Sequence, residues 1–250
     1  MKTIDQQSNN KIKTLSASVK KVTSLPNNHH VLRIFCPEIF ELCHPGLYFK
    51  IMNPTNKKEL LLPIMRASNN GNWAEFFLAF KNINFVKLLN EKSKLRIKGP
   101  YGRRLNLRSS NSKVVLISSD SSFPSLFFFA EYLKIIKSNI SMIFFQERNS
   151  QYPFVLKPSK ICVPGIPDGT IACIPFLEDM GCPSRISSIN DFPGCFSGAI
   201  SELVEHYINP IEEKNNIEMF SCGDKILVEN IAKLCERHSI KHKFIIQKFV

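Results

Sequence analysis

The stretch that decides the fold is Ile217-Glu-Met-Phe-Ser-Cys-Gly-Asp-Lys-Ile-Leu-Val-Glu-Asn-Ile-Ala-Lys-Leu-Cys235, together with Phe244-Ile-Ile-Gln247. An apolar run leads into Cys222-Gly223, and apolar residues then recur at helical spacing: Ile226, Leu227, Ile231 and Leu234. The pattern predicts strand, helix and strand, the repeating unit of a parallel sheet. A strand that ends in Cys-Gly at the start of a helix is where a nucleotide-binding α/β domain places a ligand.

The same alternation extends upstream to residue 108. Val114–Ile117 is a continuous apolar run, as expected for a buried parallel strand. The pattern then predicts a helix over Phe123–Lys137, strands over Ile140–Phe145 and Gly169–Ile174, and a helix over Phe196–Tyr207. Residues 108–250 are therefore predicted to form an α/β domain with a parallel sheet.

Residues 15–107 show a different pattern, in which turns such as His44-Pro-Gly46 separate short alternating strands. The predicted strands are Ser16–Thr23, Val31–Phe35, Leu47–Met52, Leu60–Leu62, Glu75–Phe80 and Leu95–Lys98. Short strands at this spacing predict an antiparallel β-barrel or sandwich. Phe85–Leu89 is long enough for one helical turn. Residues 1–14 are polar and without periodicity, so they are predicted to be a disordered arm.

Charge is distributed unevenly along the 250 residues, whose net charge is +12. Residues 1–107 carry 18 Lys and Arg against 6 Asp and Glu, whereas residues 108–250 carry 15 of each. The change in charge supports a domain boundary near residue 107. A basic domain attracts nucleic acid, an anionic membrane or an acidic protein, although an ordinary solvated surface gives the same composition.

The eight cysteines include no Cys-x-x-Cys pair, and Cys36, Cys43 and His44 have poor spacing for a metal. No metal site is predicted, and reduced thiols packed as small hydrophobic residues are the simpler interpretation. The N-terminus has no apolar core segment, and no apolar run approaches the length of a membrane span. These features predict a cytoplasmic protein without a transmembrane segment.

Two basic features stand out in the first domain. Arg103, Arg104 and Arg108 follow the tight turn Gly99-Pro-Tyr-Gly102, where they meet either a phosphate or only solvent. Lys92, Lys94, Arg96 and Lys98 recur at every second residue and so share one face of a strand. That face could take an anionic partner. It has no interleaved aromatic residues, so specific nucleic-acid binding is not predicted.

The loop Ser118–Ser125 follows the first predicted α/β strand. A phosphate-binding loop at this place needs glycines so that backbone amides can approach a pyrophosphate, and this loop has none. Its hydroxyls could donate to a phosphate, but Asp120 would repel it. The sequence also contains no recognisable Ser-His-Asp set, His-Glu-x-x-His motif or paired carboxylates at a defined spacing.

Taken together, the motifs resemble those of the ferredoxin reductase superfamily over residues 15–250, and within it the electron-transfer subunit of dihydroorotate dehydrogenase. The segments that carry the resemblance are His44-Pro-Gly-Leu-Tyr-Phe49, Gly99-Pro-Tyr-Gly102, Val114–Leu126, Gly198-Ala-Ile-Ser-Glu-Leu203 and Ser221-Cys-Gly-Asp-Lys-Ile-Leu227. The resemblance implies a flavin-domain-like barrel followed by an NAD(P)-binding-like domain. The cofactor-binding positions that it implies are Pro63, Arg66, Gly99, Pro100, Gly102, Pro124 and Gly223, with Cys222 at the catalytic position.

Several positions depart from the family pattern. The family's flavin motif is Arg-Pro-x-Ser, and here the matching segment is Leu62-Pro-Ile-Met65. Loss of an arginine–phosphate pair removes about 1.5–3 kcal/mol. Arg66 could replace that arginine only if the strand shifts. The family's second phosphate contact, a Gly-Thr pair, would fall near Asn82–Phe85 and is absent, and Leu227 replaces the methionine after Cys-Gly.

These departures lead to two hypotheses. In the first, the chain is a non-catalytic scaffold that binds a protein partner through its basic N-terminal domain and carries no cofactor. In the second, it is an FAD-dependent NAD(P)H oxidoreductase with altered contacts, for example through Arg66, Arg103 and Arg104. The [2Fe–2S] loop of the electron-transfer subunit would follow the last predicted strand, beyond Val250, so no iron–sulfur cluster is expected.

Overall fold

The computed structural model describes residues 11–52, 59–68, 70–91, 93–107, 111–149 and 151–246. The described residues form two compact units. The first comprises the residues up to Asn106 together with Phe127–Phe129, and the second comprises Leu107–Leu126 and the residues from Ala130 onward. No helix in the described part of the chain is long and apolar enough to cross a membrane.

The first unit is a closed antiparallel barrel of six strands. The strands are β1 (Lys13–Leu25), β2 (His29–Phe35), β3 (Leu47–Met52), β4 (Glu59–Ser68), β5 (Trp73–Leu78) and β6 (Lys94–Gly102). Their order around the barrel is β1-β2-β5-β4-β3-β6, which confirms the predicted barrel. One short helix, α1 (Ile83–Val86), and 3-10 turns at Pro26–Asn28, Phe40–Leu42 and Phe80–Asn82 complete the unit.

The barrel interior is filled by the apolar half of each alternating strand. Phe49 and Ile51 on β3, Ile34 on β2 and Phe76 on β5 are all fully buried. Because side chains alternate across a strand, the residues between them face outward. Strand β1 begins at Lys13, so the last two residues of the predicted arm belong to a strand, while residues 1–10 lie outside the described residues.

Two turns meet where β3 begins and β6 ends. Leu47 pairs with Gly102, and both Gly46 and Gly102 have positive φ, at 90° and 93°. A Cβ atom on Gly102 would lie 2.7 Å from the carbonyl oxygen of Gly46, and one on Gly46 would collide with the carbonyl oxygen of Arg103. The glycines are therefore required both by backbone conformation and by the close approach of the two turns.

The second unit contains a parallel sheet of six strands in the order β12-β11-β8-β7-β13-β14. Its strands and helices are β7 (Lys113–Ser119), α2 (Phe123–Ile135), β8 (Ile140–Gln146), β11 (Ser184–Ser188), β12 (Phe196–Ser197), α4 (Ile200–Ile208), β13 (Ile217–Gly223), α5 (Lys225–Arg237) and β14 (Lys241–Ile246). A separate antiparallel pair, β9 (Lys157–Pro158) and β10 (Ala172–Cys173), precedes helix α3 (Pro175–Asp179), and 3-10 turns lie at Asp120–Ser122 and Lys214–Asn216. The parallel α/β domain is confirmed.

Two details of the predicted α/β pattern are wrong. Gly169–Ile174 does not supply a strand of the main sheet, because Ala172–Cys173 pairs with Lys157–Pro158 instead. The place beside β8 is taken by β11, whose sequence Ser-Arg-Ile-Ser-Ser is polar although every residue is buried. The predicted helix from Phe196 begins only at Ile200, because Phe196–Ser197 forms the edge strand beside β11.

Alanine substitutions at two glycines of similar φ separate steric collision from backbone strain. Gly169 has φ 80°, and no atom lies within 4 Å of the position that a Cβ atom would take, so Gly169→Ala should cost about 1 kcal/mol. Gly46→Ala adds the collision with Arg103 and should cost at least about 2 kcal/mol more. Denaturant unfolding followed by circular dichroism measures both losses. Equal losses would contradict a role for the close approach.

Candidate functional site

The barrel brings several of the predicted cofactor-binding residues onto neighbouring strands. Tyr48 on β3 pairs with Tyr101 on β6 and with Pro63 on β4. The two tyrosine rings are stacked, with centroids 5.8 Å apart and planes at 17°. Tyr48 and Tyr101, which lie next to the turns of Gly46 and Gly102, therefore form one aromatic pair on the outside of the barrel, beside Pro63.

The position matched to the family's flavin arginine faces the barrel core. Leu62 is 6% exposed and belongs to the same apolar cluster as Ile64. Pro63, which lies between them, is on the opposite face of the strand. A guanidinium at position 62 would be buried among apolar side chains, which is strongly unfavourable. The absence of an arginine at position 62 thus follows from its place in the barrel core. The motif match does not identify a residue on the outer face of β4.

Arg66 lies just after an irregularity of strand β4. The pairing register shifts between Ile64 and Arg66, and Arg66 then pairs with Glu75 on β5. Glu75 already accepts the guanidinium of Arg33 at 2.7 Å, and Arg33 stacks on the Trp73 ring at 4.3 Å. This irregularity in the pairing of β4 with β5 places Arg66 beside a carboxylate. A flavin-binding role for Arg66 stays a prediction.

The second candidate site is the carboxyl edge of the parallel sheet. Strands β7, β8 and β13 are neighbours, so the segments that follow them meet at this edge. Arg148, two residues after β8, lies between Asp120 and Asp224. Its Nε donates to Asp120 at 2.8 Å and its Nη1 to Asp224 at 2.7 Å. A second guanidinium nitrogen and the Arg148 backbone N–H also donate to Asp120.

This ion cluster of Asp120, Arg148 and Asp224 is a local structural unit. The hydrogen bonds to Asp120 raise the pKa of the Arg148 guanidinium above its ordinary value. Asp224 is also the N-cap of α5, because its carboxylate accepts the Leu227 N–H at 2.8 Å. The cluster therefore fixes the loops after three strands and the start of one helix.

Gly223, which the sequence places at a nucleotide-binding position, is explained by packing. A Cβ atom there would collide with the Leu227 side chain and lie 2.8 Å from the Ser119 hydroxyl. Glycine therefore lets the Leu227 side chain of α5 and the Ser119 hydroxyl at the end of β7 pack closely on the end of β13. Pro124 occupies the first turn of α2, where a missing N–H costs nothing. Its cofactor-binding role stays a prediction.

Cys222 is fully buried at the end of β13, opposite Ser118 of β7. Burial raises the pKa of its thiol to about 12, against a smaller opposing effect from a hydrogen bond with Ser125. At neutral pH the group is a neutral, inaccessible thiol rather than a thiolate nucleophile. A catalytic role at this position would thus depend on packing beside a ligand, and it stays a prediction.

Glu147 is the most perturbed carboxyl group at the edge. It follows β8 directly and is 7% exposed. Burial, aided by the nearby Asp120 charge, raises its pKa to about 7, and a hydrogen bond from the Asn149 N–H at 3.0 Å opposes the shift. Glu147, Arg148 and Asp224 did not emerge from the sequence patterns. The signal that locates Glu147 and Arg148 is their position directly after the apolar run Ile140–Phe145.

The chemistry of this edge does not fit a dinucleotide pyrophosphate. Three carboxyl groups, on Asp120, Glu147 and Asp224, surround one guanidinium, and that guanidinium is already bound to two of them. A pyrophosphate needs backbone amides and uncompensated positive charge, whereas the loop after β7 supplies Asp120. Among the described residues, no group of three or more His, Cys, Asp or Glu could hold a metal ion either.

Comparison with known proteins identifies the fold. No protein-family profile and no curated protein matches the sequence. Solved structures do match. An NADH-dependent reduced ferredoxin–NADP oxidoreductase has 12% identity and a TM-score of 0.71, and the match covers 92% of this chain and 76% of that chain. The ferredoxin reductase of carbazole 1,9a-dioxygenase has 12% identity, coverage of 96% and 70%, and a TM-score of 0.70, and an Amycolatopsis cytochrome P450 reductase has 13% identity, coverage of 94% and 71%, and a TM-score of 0.67. The chain has the fold of ferredoxin reductase-type flavoproteins. The closer resemblance to the electron-transfer subunit of dihydroorotate dehydrogenase stays a prediction.

Substitutions at Asp224 separate its two roles. Asp224→Asn removes the charge that Arg148 binds but keeps an N-cap, so it should cost at most about 1 kcal/mol for this partly exposed pair. Asp224→Ala removes the cap as well and should cost about 1 kcal/mol more. Unfolding free energies from denaturant titration give the difference. If Asn and Ala cost the same, the helix cap contributes nothing.

The raised pKa of Glu147 makes stability pH-dependent. The folded pKa is about 7 against an ordinary value of 4.5, so the folded state binds this proton more tightly than the unfolded state. The stability that this proton provides is complete below the ordinary pKa and is lost as pH rises through about 7. Between about pH 5 and pH 7 the wild type should lose on the order of 1 kcal/mol per pH unit relative to Glu147→Gln. Parallel stability curves for the two proteins would refute the shift.

Proposed function

We propose that this protein is a non-catalytic, partner-binding component built on the ferredoxin reductase fold, and that it does not use NAD(P)H. The observation that carries the proposal is the ion cluster of Asp120, Arg148 and Asp224, with Glu147 beside it, at the carboxyl edge of the parallel sheet. In this fold class a dinucleotide binds at that edge. Here the guanidinium of Arg148 is already bound to two carboxylates, so within this cluster the surplus charge is negative.

The barrel supports the same proposal. The position matched to a flavin-binding arginine is the core residue Leu62, while Arg33 and Arg66 both lie beside Glu75. The buried Leu62 and the Arg33–Glu75 ion pair thus support a barrel that does not hold the phosphates of a flavin. We also propose a cytoplasmic location and no iron–sulfur cluster. All eight cysteines are free thiols, and those of the described residues do not gather into a ligand set.

A second candidate is an FAD-dependent NAD(P)H oxidoreductase with altered contacts. The observation in its favour is the stacked pair Tyr48–Tyr101 on the outside of the barrel, since aromatic rings there could pack against a flavin ring. Arg103 and Arg104, which follow β6 and are exposed, could then meet its phosphates. Several solved structures of similar fold are reductases, one of them described in its FAD apo form, which is a property of those proteins.

Spectroscopy and ligand binding distinguish the two candidates. The purified protein should show no yellow flavin absorbance, no NADH oxidation and no NADH binding at concentrations up to about 1 mM, the upper end of common substrate affinities. Asp120→Asn with Asp224→Asn releases Arg148 and removes two negative charges. The double variant should therefore bind NADH with a Kd of about 0.1 mM or below, at least about tenfold under the limit at which the wild type shows no binding, and calorimetry measures this.

The matched control is Asp168→Asn with Asp179→Asn, which changes the net charge equally at two exposed residues away from the strand ends. This control should leave NADH binding unchanged. Stoichiometric flavin in the purified wild type, or micromolar NADH binding, would overturn the proposal and favour the oxidoreductase.

A further inference from the structure

Strand β6 has one strongly basic face. Lys94, Arg96 and Lys98 are exposed on the outside of the barrel, while Leu95 and Ile97 are buried in its core. Residues two apart on a strand lie about 6.8 Å apart, so the three cations form a straight, evenly spaced row. The alternation predicted from the sequence is confirmed for these three residues, and Lys92 lies outside the described residues.

Strand β1 places a hydroxyl beside each cation of this row. In the antiparallel register Ser18 pairs with Lys94, Ser16 with Arg96 and Thr14 with Lys98. Directly opposite side chains on one face of a sheet are about 4.5–5.5 Å apart, so each hydroxyl and its cation can donate to the same acceptor. We call these six residues the basic strand face.

The charge of the basic strand face is not compensated within the described part of the barrel. None of its three cations forms an ion pair with a described residue. On the neighbouring strand β3, by contrast, a lysine is paired with a carboxylate. There Lys50, opposite Lys98 in the register, is 3.0 Å from the Glu59 carboxylate. The row therefore presents three adjacent positive charges, each with a hydroxyl donor.

We propose that the basic strand face binds an extended acidic segment of a protein partner, with carboxylates on alternate residues. This proposal rests on the proposed partner-binding function and names the surface that would perform it. An extended chain repeats its side chains on one face at the same distance of about 6.8 Å as the cations of β6. Each carboxylate would then accept one hydrogen bond from a cation and one from a hydroxyl.

The surroundings favour a protein over the other polyanions. None of the six residues is aromatic, and Tyr101, further along β6, is already stacked on Tyr48, so the face itself offers no ring for nucleic-acid bases. Along β1 and β6 no large apolar side chain is exposed, and Ile12, directly before β1, is 47% exposed. A single such residue supplies little of the apolar area that peripheral membrane binding buries. Hydroxyl groups beside the cations suit the planar, two-oxygen acceptor of a carboxylate.

The test uses the full-length protein and two peptides of ten residues, one alternating Glu and Thr and one with the same residues in two blocks. The alternating peptide should bind about tenfold more tightly than the block peptide, since only its carboxylates match the row. Substituting Lys94, Arg96 and Lys98 all by Gln should weaken the alternating peptide about tenfold. Fluorescence anisotropy of labelled peptides measures both effects.

The control protein carries Gln at Lys21, Lys81 and Lys87, three exposed cations outside the face. It loses the same net charge and should weaken binding less than about threefold. Equal losses in the two variants, equal affinity for the two peptides, or displacement of the bound peptide by single-stranded RNA or phosphatidylserine vesicles at equal charge concentration would each overturn the proposal. Flavin content and NADH binding are measured separately, so failure of the docking face and failure of the proposed function are distinguishable.

Discussion

The guanidinium of Arg148 is the interaction on which the edge of the parallel sheet depends. It joins the loop after β7, through Asp120, to the loop after β13, through Asp224, and it comes itself from the segment after β8. Without it, two carboxylates would face each other with Glu147 close by. The cation therefore links three loops at once.

The barrel is organised by a comparable constraint of space. Gly46 and Gly102 let the start of β3 and the end of β6 approach so closely that neither position tolerates a side chain. That approach brings Tyr48 and Tyr101 into contact. The motifs that resemble a flavin domain in the sequence thus have a structural reason to persist, since they close the barrel whether or not a cofactor is bound.

Much of the fold could be predicted from the sequence because the apolar periodicity is strong. The barrel strands alternate with a period of two, and Val114–Ile117 is a continuous apolar run. Strand β11 escaped prediction because Ser184, Ser187 and Ser188 are buried polar residues, and burial of this kind is decided by tertiary packing rather than local pattern. The nearby run Gly169–Ile174 is more apolar, so the sequence pattern predicts the strand there instead.

The candidate site was less predictable, for a physical reason. Charged residues such as Glu147, Arg148 and Asp224 look like solvated loop residues until topology brings the ends of distant strands together. Cys222 and Gly223 lie on a conspicuous apolar segment, and they proved to be a buried thiol and a packing glycine. For Leu62, the motif match alone does not say which way the side chain points, and the structure places that side chain in the barrel core.

One consequence concerns protons. With a pKa of about 7, Glu147 is half ionised near neutral pH, so the edge of the sheet exchanges a proton with solvent in the physiological range. A cation bound near Glu147 lowers the pKa of this carboxyl and releases part of its proton, whereas an anion raises the pKa and causes proton uptake from solvent. The heat of binding at this edge then depends on the ionisation enthalpy of the buffer. That dependence reports whether a ligand is bound beside Glu147.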